Sequence, residues 1–431
     1  MLKVICEIST IQHYIFWRNT QMKKFSKVLA LVLCFAMIAC FAACGETDKT
    51  GGTTAADATK ADDSGSGTKA DAANTSFDFS KEGEYTSKNT TYVIGLTGPL
   101  TGDNSQYGIS VQRGAQIAVD EINAAGGLNG VNFSLNMKDD KATAADASTG
   151  YDALYEEGMQ VSLCSVTSGS AESFASRADE DGVFSLTPSG SSDKVINASK
   201  YAFRVCFGDP DQGTLAAQTV AKEFNSIGAI YDNSDTYSQG IYEAFKAEMA
   251  KLGKEYKEQT FDAENKRDFS TQAEALKDCD VIFLPIYYTE AGLIAKACAA
   301  KGCKAELFGC DGLDSIDGQI DSTVTAKIKY ITPFDAKSTD EKVKSFVSTF
   351  NTKYNATPDQ FAADGYDAVY VIFNAMKTAG VNNVKVDPKT LGDALIATVT
   401  SKDFSYTGLT GTMTWAESGA CSKEPVIVEL N

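Results

Sequence analysis

Short apolar runs and amphipathic segments alternate along most of this chain, beginning near residue 92. Residues 92–96 form an apolar run that stops at Gly98-Pro99, which is typical of a buried strand. From Val111 onward, apolar residues recur every three or four positions, as on one face of a helix, and Gly126-Gly127 supplies the left-handed residue that ends it. Because ligands bind at the carboxyl ends of strands in such βα units, residues 97–107 are the first candidate for a site.

The same succession of strand, Ser/Thr/Gly-rich turn and helix is repeated through the chain. Further strands are predicted at 131–137, 161–164, 183–186, 227–231, 281–284 and 307–308. Helices are predicted at 144–157, 171–180, 212–224, 241–251, 293–300, 341–354 and 360–379, and residues 404–430 are β-rich. Thr271 and Glu274 have capping-box spacing, which predicts another helix start at Thr271. Alternation of this kind indicates parallel sheets covered on both faces, and two series of similar length indicate two α/β lobes.

The N-terminal part has the pattern of an export signal. Residues 22–43 begin with lysines and continue as an apolar run that is shorter than the ~20 residues of a membrane span, so we predict that translation begins at Met22 and that 1–21 are a mis-annotated start. Small residues before Cys44 resemble a bacterial lipoprotein cleavage site, which predicts lipid on Cys44; Cys40 is a weaker candidate, and an ordinary signal peptide is the alternative. Residues 44–90 are rich in Thr, Ala, Gly, Ser and Asp, and they predict a flexible tether.

Composition and charge disfavour several classes of function. The net charge of −18 over 431 residues argues against nucleic acid, because binding to phosphates depends on basic patches. The single histidine, His13, precedes the predicted start, so the mature chain lacks the commonest general base and zinc ligand. No phosphate-binding GxxxxGK[ST] or GxGxxG motif follows the first strand. We therefore expect no catalytic residues, metal centre or cofactor.

Seven cysteines follow Cys44. Because seven is an odd number, at least one of their thiols stays unpaired even if all the others form disulfides within the chain. They are not spaced as a metal site, and several lie in apolar strand contexts, where a cysteine is most often a small buried side chain.

The predicted strand ends carry a particular mixture of polar residues: hydroxyls, glycines, tyrosines and one acid. Each has a common structural role, since Ser and Thr often cap helices and Asp311-Gly312 often forms a turn. Together, however, hydroxyls and free amides at helix N-termini suit a carboxylate, and an acid such as Asp311 suits an ammonium group. The combination predicts a site for a free amino acid.

A resemblance to a known family rests on motifs that occur in order along residues 91–431. They are the segment 94–130, which begins Ile-Gly-Leu-Thr-Gly-Pro-Leu-Thr-Gly, then Thr-Pro-Ser-Gly-Ser at 187–191, Tyr-Ser-Gln-Gly at 237–240, Pro-Ile-Tyr-Tyr at 285–288, Gly-Cys-Asp-Gly at 309–312 and Tyr-Asp-Ala-Val at 366–369. The chain resembles the leucine/isoleucine/valine-binding protein family, the solute-binding proteins of branched-chain amino acid ABC transporters.

The resemblance implies an α/β architecture, the type I periplasmic-binding-protein fold. Two doubly wound α/β lobes joined by three crossover strands would close on a ligand in the cleft. The N-terminal lobe would comprise residues 91–207 and about 333–418, and the C-terminal lobe residues 208–332 and about 419–431.

The resemblance also implies which residues hold the α-carboxylate of an amino acid. In the family this group is held by the hydroxyl cluster after the third strand, which here is Ser165 with Thr167 or Ser168. The loop after the next strand, Ser189 with Gly190 and Ser191, is expected to add backbone and hydroxyl groups.

The ammonium group is expected to bind an acid of the second lobe, here Asp311, where the family often has Glu. Aspartate is one methylene shorter, so the ligand is expected to sit differently. Tyr107, Tyr237 and one of Tyr287 and Tyr288 are expected to cover the ligand.

As a function, the resemblance implies a monomeric, lipid-anchored binding protein on the outer face of the cell membrane, with permease and ATPase subunits as partners. A ligand sensor for a membrane receptor is the alternative within the same fold. Family members that take amides, urea or aromatic acids provide a second alternative, which the acid at 311 disfavours because it favours a cationic ligand.

Overall fold

Two separate sheets form the framework of the protein in the computed structural model, which describes residues 77–430. The strands are β1 (Tyr92–Gly98), β2 (Phe133–Asp139), β3 (Val161–Ser162), β4 (Ser185–Thr187), β5 (Ala202–Arg204), β6 (Ile227–Asp232), β7 (Lys257–Phe261), β8 (Val281–Leu284), β9 (Glu306–Gly309), β10 (Ile328–Thr332), β11 (Tyr406–Gly408), β12 (Gly411–Trp415), β13 (Cys421–Ser422) and β14 (Val426–Leu430). The helices are α1 (Ser105–Ala124), α2 (Ala144–Glu156), α3 (Ser168–Asp181), α4 (Asp193–Asn197), α5 (Asp209–Glu223), α6 (Thr236–Lys251), α7 (Ser270–Leu276), α8 (Tyr288–Lys301), α9 (Glu341–Tyr354), α10 (Gln360–Ala379) and α11 (Pro388–Val399).

Both sheets have the strand order of doubly wound α/β folds. The first is parallel in the order β2-β1-β3-β4-β5, and the second has the order β14-β10-β9-β8-β6-β7, with only β14 antiparallel to its neighbour. A small antiparallel sheet, β11-β12-β13, lies beside the first, where the Trp415 indole donates to the Arg204 carbonyl at 2.8 Å. We call the first sheet with its helices the first lobe and the second sheet with its helices the second lobe.

The chain passes between the lobes three times: after β5, after β10, and between β13 and β14. The prediction of two α/β lobes with parallel sheets is thus confirmed. The residue boundaries predicted for the lobes stay a prediction. Residues 1–76, with the predicted signal peptide, most of the tether and Cys44, lie outside the described residues. The prediction of a tether that extends to residue 90 is wrong at its end, because residues 77–90 pack on the folded part: Phe79 is buried, and the Gly83 amide donates to the Lys385 carbonyl at 3.2 Å.

Strand β1 and helix α1 form largely where the sequence predicts them. All seven residues of β1 are buried, and α1 is followed by Gly126 and Gly127 at φ 99° and 65°, as predicted for the residues that end it. The helix begins earlier than expected, at Ser105, so the last three residues of the predicted turn 97–107 form its first turn.

The predicted capping box at Thr271 is wrong. Helix α7 begins one residue earlier, at Ser270, and the Asp268 carboxylate accepts a hydrogen bond from the Ser270 amide at 2.9 Å. Asp268, two residues before the helix, thus satisfies an early amide of the helix. Thr271 lies inside the first turn and has no capping role.

Two glycines allow α1 and α10 to pack backbone against backbone. A methyl group at Gly114 would overlap the carbonyl of Ala362, and one at Gly365 would come within 2.6 Å of the carbonyl of Val111. Any larger residue at either position would therefore push the two helices apart.

A buried ion pair holds the third crossing of the chain between the lobes. The Lys423 ammonium lies 2.9 Å from the Asp364 carboxylate of α10 and 2.6 Å from the Thr410 hydroxyl, and its side chain is fully buried. Burial raises the pKa of Asp364 to about 7 in spite of the adjacent ammonium. The pair thus links the segment between β13 and β14 to the first lobe.

Removing one partner of this pair should destabilise the protein strongly. We expect Lys423→Met to lower the free energy of unfolding by roughly 3–5 kcal/mol, because it leaves the Asp364 charge buried without a partner. Urea denaturation measures the change, and Lys402→Met, at an exposed lysine, is the control. Adding Asp364→Asn should recover part of the loss; equal midpoints for Lys423→Met and wild type would contradict the stabilising role of the pair.

Candidate functional site

The strand order places two crevices opposite each other. In the first sheet β1 lies between β2 and β3, and in the second β6 lies between β7 and β8, so the chain reverses direction across each sheet at these points. Loops at the carboxyl ends of strands beside such a reversal form the usual ligand site of open α/β sheets. Here the two sets of loops contact each other across a narrow cavity.

Residues of both lobes line this cavity: Tyr107, Val166, Thr167, Ser168, Ser189, Tyr237, Tyr287, Asp311, Gly312 and Phe361. Seven of the eleven residues that the sequence predicted are among them, which brings the predicted hydroxyls, tyrosines and acid to one place. Ser165, Gly190, Ser191 and Tyr288 are not on its wall.

The first-lobe wall is the N-terminus of α3. Thr167 occupies the N-cap position, but its side chain makes no capping bond and instead donates to the Ser170 hydroxyl at 3.1 Å. The first amides of a helix have no partner within the helix and lie at the positive end of its dipole. Ser168 lies at the first helical position, and the Ser189 hydroxyl donates to the Val166 carbonyl at 2.7 Å. This wall therefore suits an anionic group.

The second-lobe wall is centred on Asp311, which is 4% exposed. Its carboxylate accepts a hydrogen bond from the Tyr237 hydroxyl at 2.7 Å, and its amide donates to the Gln212 side chain at 3.0 Å. Burial raises the pKa of Asp311 to about 6, so the carboxylate is still mostly ionised at neutral pH. This wall therefore suits a cation.

Aromatic rings close the cavity between the two walls. Tyr237 and Tyr287 stack with centroids 4.9 Å apart, and Tyr107 lies 4.2 Å from Phe361. The Tyr107 hydroxyl donates to the Gly312 carbonyl at 2.5 Å, which joins the first lobe to the second directly at the cavity.

The four predicted residues that are off the wall have other contacts. The Ser165 hydroxyl donates to the buried carboxylate of Asp140 at 2.5 Å, and the Gly190 amide donates to the Thr187 hydroxyl at 2.8 Å. The carbonyl of Ser191 accepts from Arg204 at 2.8 Å. These three stabilise the loops behind the first-lobe wall.

Tyr288 lies between the lobes, beside the cavity. Its ring packs edge-on against Tyr107 at 4.7 Å, and its amide donates to the Tyr107 hydroxyl at 3.0 Å. Of the two tyrosines that the sequence left open, Tyr287 is the one on the cavity wall.

Sequence reasoning missed several residues of the site. Phe361 belongs to the first turn of α10, where neither its spacing nor its neighbours distinguish it from a core residue. Asp209 and Gln212 beside Asp311 were also missed, and the Asp209 carboxylate and the Gln212 amide nitrogen have no hydrogen-bond partner among residues 77–430. Burial, with a contribution from the Asp311 charge, raises the pKa of Asp209 well above its usual range.

At the mouth of the cleft, Asp103 of the first lobe contacts the second lobe. Its carboxylate lies 2.7 Å from Arg267 and 3.5 Å from Lys266, and its carbonyl accepts from the Thr289 hydroxyl at 2.8 Å. Lys266 also lies 3.2 Å from Glu290. Asp103, Lys266 and Arg267 are at least partly exposed, while Glu290 is buried.

A wider groove lies outside the cleft, beside the crossing segments, and is lined by acids that include Asp314, Asp317, Asp335 and Asp359. The narrow cavity lies at the carboxyl ends of the strands, where ligands of open α/β sheets usually bind, so it is the better candidate for a site. Within the part of the chain that is described, no group of His, Cys, Asp or Glu residues has the arrangement of a metal site. No helix between residues 77 and 430 is long and apolar enough to span a membrane.

Comparisons with known proteins agree with this geometry. A family model described as periplasmic binding protein matches residues 91–429. The Leu/Ile/Val-binding protein BraC3 of Rhizobium johnstonii is 30% identical over 293 residues, which covers 67% of this chain and 79% of that protein. The Leu/Ile/Val-binding protein homolog 1 of Brucella abortus is 27% identical over 312 residues, with 70% and 81% covered.

Solved structures show the same fold. The leucine-binding protein LivK of Thermotoga maritima has a TM-score of 0.70 and 25% identity, and it covers 78% of this chain and 95% of its own. LivJ of Streptococcus pneumoniae, in complex with isoleucine, has a TM-score of 0.66 and 27% identity, with 79% and 100% covered. A solute-binding protein of Rhodopseudomonas palustris in complex with benzoate has a TM-score of 0.70 at 20% identity, with 79% and 93% covered, a likeness of fold alone.

Proposed function

The chain belongs to the periplasmic binding protein family, and from that premise we propose that it is an exported solute-binding protein that captures a free aliphatic amino acid, such as a branched-chain one, between its lobes. In this proposal it delivers the amino acid to the permease and ATPase subunits of an ABC importer, which are separate chains. It is a binding protein and not an enzyme.

One observation carries the proposal. Across a single narrow cavity, the Asp311 carboxylate faces the N-terminus of α3 with Thr167 and Ser168. A free amino acid has a cation and an anion on one carbon, so Asp311 would hold its ammonium group while the helix amides and hydroxyls would hold its carboxylate.

The rest of the cavity wall suits a ligand with an apolar side chain. Val166, Phe361 and the rings of Tyr107 and Tyr287 present carbon atoms to the cavity. An amide, urea or an aromatic acid would leave the buried Asp311 charge without a counter-charge, which is unfavourable in a site of low polarity. The relative from S. pneumoniae, described with isoleucine, is consistent with this choice.

Lobe closure supplies the second half of the binding site. With the lobes apart, the ligand would meet only the first-lobe wall; closure adds Asp311, Tyr237 and Tyr287, together with the contacts of Asp103. Because these contacts exist only in the closed form, a bound amino acid shifts the population toward closure. A transporter can then distinguish loaded from empty protein by shape.

We further propose that lipid on Cys44 and a tether over residues 44–76 hold the folded part outside the cell membrane. The export pattern of residues 22–43 and the small residues before Cys44 support this. The low content of large apolar residues over 44–76 supports a tether without a core of its own.

A thermal-shift screen of the purified protein tests the proposed ligand class. At about one hundred times its dissociation constant, a ligand adds roughly 2.7 kcal/mol to the free energy of unfolding, so leucine, isoleucine, valine or alanine should raise the midpoint clearly. Asp311→Asn should weaken the binding of the active amino acid by about 10–100-fold, since it removes the partner of the ammonium group.

Asp317→Asn is the matched control, because Asp317 is an exposed acid six residues from Asp311. The proposal fails if no amino acid raises the midpoint or if Asp311→Asn binds as tightly as wild type. A larger shift with benzoate, acetamide or urea would favour the corresponding alternative ligand.

The pH dependence of binding follows from the pKa of about 6 for Asp311. The ammonium group binds the ionised carboxylate, so affinity should be full near pH 7 and fall as the pH drops through 6, by at most about tenfold per pH unit. Isothermal titration between about pH 5 and 7 measures this. In Asp311→Asn the residual affinity should not change over that range; a wild-type affinity that is also constant would rule out an ionised Asp311 as the ammonium partner.

The membrane anchor is tested in the producing cell. Cys44→Ala should move the protein from the membrane fraction to the medium and abolish incorporation of labelled fatty acid, while Cys40→Ala should leave both unchanged. Release by Cys40→Ala instead would assign the lipid to Cys40, and unlabelled wild-type protein would contradict the anchor.

A further inference from the structure

Two cysteines, Cys298 and Cys303, lie at the two ends of one backbone hydrogen bond in the turn that ends α8. Gly302 adopts a left-handed conformation with φ 70°, the Cys303 amide donates to the Cys298 carbonyl at 2.9 Å, and the Gly302 amide donates to the Ala299 carbonyl at 3.1 Å. These crossed 6→1 and 5→2 bonds define a Schellman motif, in which the residues at the two ends of the longer bond normally make a hydrophobic contact. Here those two residues are Cys298 and Cys303.

Several features show that the two side chains are neighbours. The 2.9 Å backbone bond and main-chain bond lengths limit the separation of the two Cα atoms to roughly 7 Å, and a disulfide usually spans about 4.4–6.8 Å. Burial raises the pKa of the Cys298 thiol, and the adjoining Cys303 thiol raises it further. Both cysteines are reduced in the structure.

The two thiols differ in accessibility. Cys298 is 3% exposed, whereas Cys303 is partly exposed and its thiol contacts the Ala273 carbonyl of α7 at 3.4 Å. An external reagent therefore reaches Cys303 first, and Cys298 is in position to react second.

We propose that Cys298 and Cys303 form a disulfide that fastens the end of α8 to the segment entering β9, the strand that leads to Asp311. The oxidant is a low-molecular-weight disulfide. The Cys303 thiolate, having lost its proton to solvent, attacks one sulfur of that disulfide and releases a thiol. The Cys298 thiolate then attacks the Cys303 sulfur and releases the second thiol. Two protein thiols are oxidised and one external disulfide is reduced to two thiols.

The bond leaves the cavity untouched. Tyr288 begins α8 near the cavity and Cys298 lies ten residues further on, about 15 Å along the helix. The disulfide therefore restrains the fold of the second lobe, and its test does not depend on the identity of the ligand.

The sequence makes the bond easy to detect. Lys296, Lys301 and Lys304 flank the two cysteines, so trypsin separates them into peptides 297–301 and 302–304. The folded full-length protein is treated with oxidised glutathione, remaining thiols are blocked with iodoacetamide, and the digest is analysed by mass spectrometry without reduction. We expect the two peptides joined by one bond, which a reductant breaks.

Variants distinguish this pair from other cysteines. Cys303→Ser should abolish the joined peptides, while Cys279→Ser, at another buried cysteine of the same lobe, should leave them unchanged. Recovery of peptides 297–301 and 302–304 as separate alkylated species after oxidation of the wild type, or joined to glutathione or to another cysteine, overturns the proposal even if a variant fails to fold.

Thermal unfolding gives an independent readout. Oxidation should raise the midpoint of the wild type by roughly 2–5 °C, since the bond restricts the unfolded chain. The same treatment should not shift Cys303→Ser. An unchanged wild-type midpoint with the bond present would contradict its stabilising effect.

Discussion

The hydrogen bond from the Tyr237 hydroxyl to Asp311 fixes the second-lobe wall, because a carboxylate removed from water must be satisfied by neighbouring donors. The same hydroxyl accepts a hydrogen bond from the Gly312 amide, and the Gly312 carbonyl accepts one from Tyr107 of the first lobe. A continuous series of bonds therefore runs from the buried acid to the opposite lobe. A group bound at Asp311 would therefore act on the residues that join the two lobes, which supports the proposed coupling of binding to closure.

At the mouth of the cleft the charged contact between the lobes is weak, whereas deeper in the cleft the Gln360 side chain of α10 donates to the Asp311 carbonyl at 3.0 Å. The pair between Asp103 and Arg267 is partly exposed, and such pairs contribute about 0–1 kcal/mol. In the wider groove, burial and the charge of Asp359 raise the pKa of Asp314 to about 7, so Asp314 is only partly ionised at neutral pH. The charged contact at the mouth therefore contributes little to closure, which supports the ligand as the main contribution in the proposed cycle.

Much of the fold could be predicted from the sequence, because its strands and helices carry strong periodic patterns. The bounds of β8, α9 and α10 agree with the prediction to the residue, since each is set off by turn residues. Strands β5, β7 and β10 and helices α4 and α11 were missed. Strand β7 is a half-exposed run of mixed polarity, and helix α11 begins at a proline, a residue that marks turns as often as it marks the first position of a helix.

The site was predicted less completely than the fold. Hydroxyls and acids at strand ends are visible in the sequence, and the resemblance assigned most of them to one cleft. Which way each side chain faces was not visible: Ser165 turns inward to Asp140, while Ser168, three residues later, faces the cavity. Phe361 reaches the cavity only because α10 packs on α1, and a contact between residues so distant in sequence leaves no local signal.

The contact of α1 with α10 at Gly114 and Gly365 has a consequence for how such a protein can change over evolution. These helices carry Tyr107 and Phe361 in their first turns, yet their spacing is set by main-chain atoms and not by the side chains that line the cavity. Lining residues can therefore be exchanged without moving the scaffold, so ligand preference can drift while the architecture stays constant.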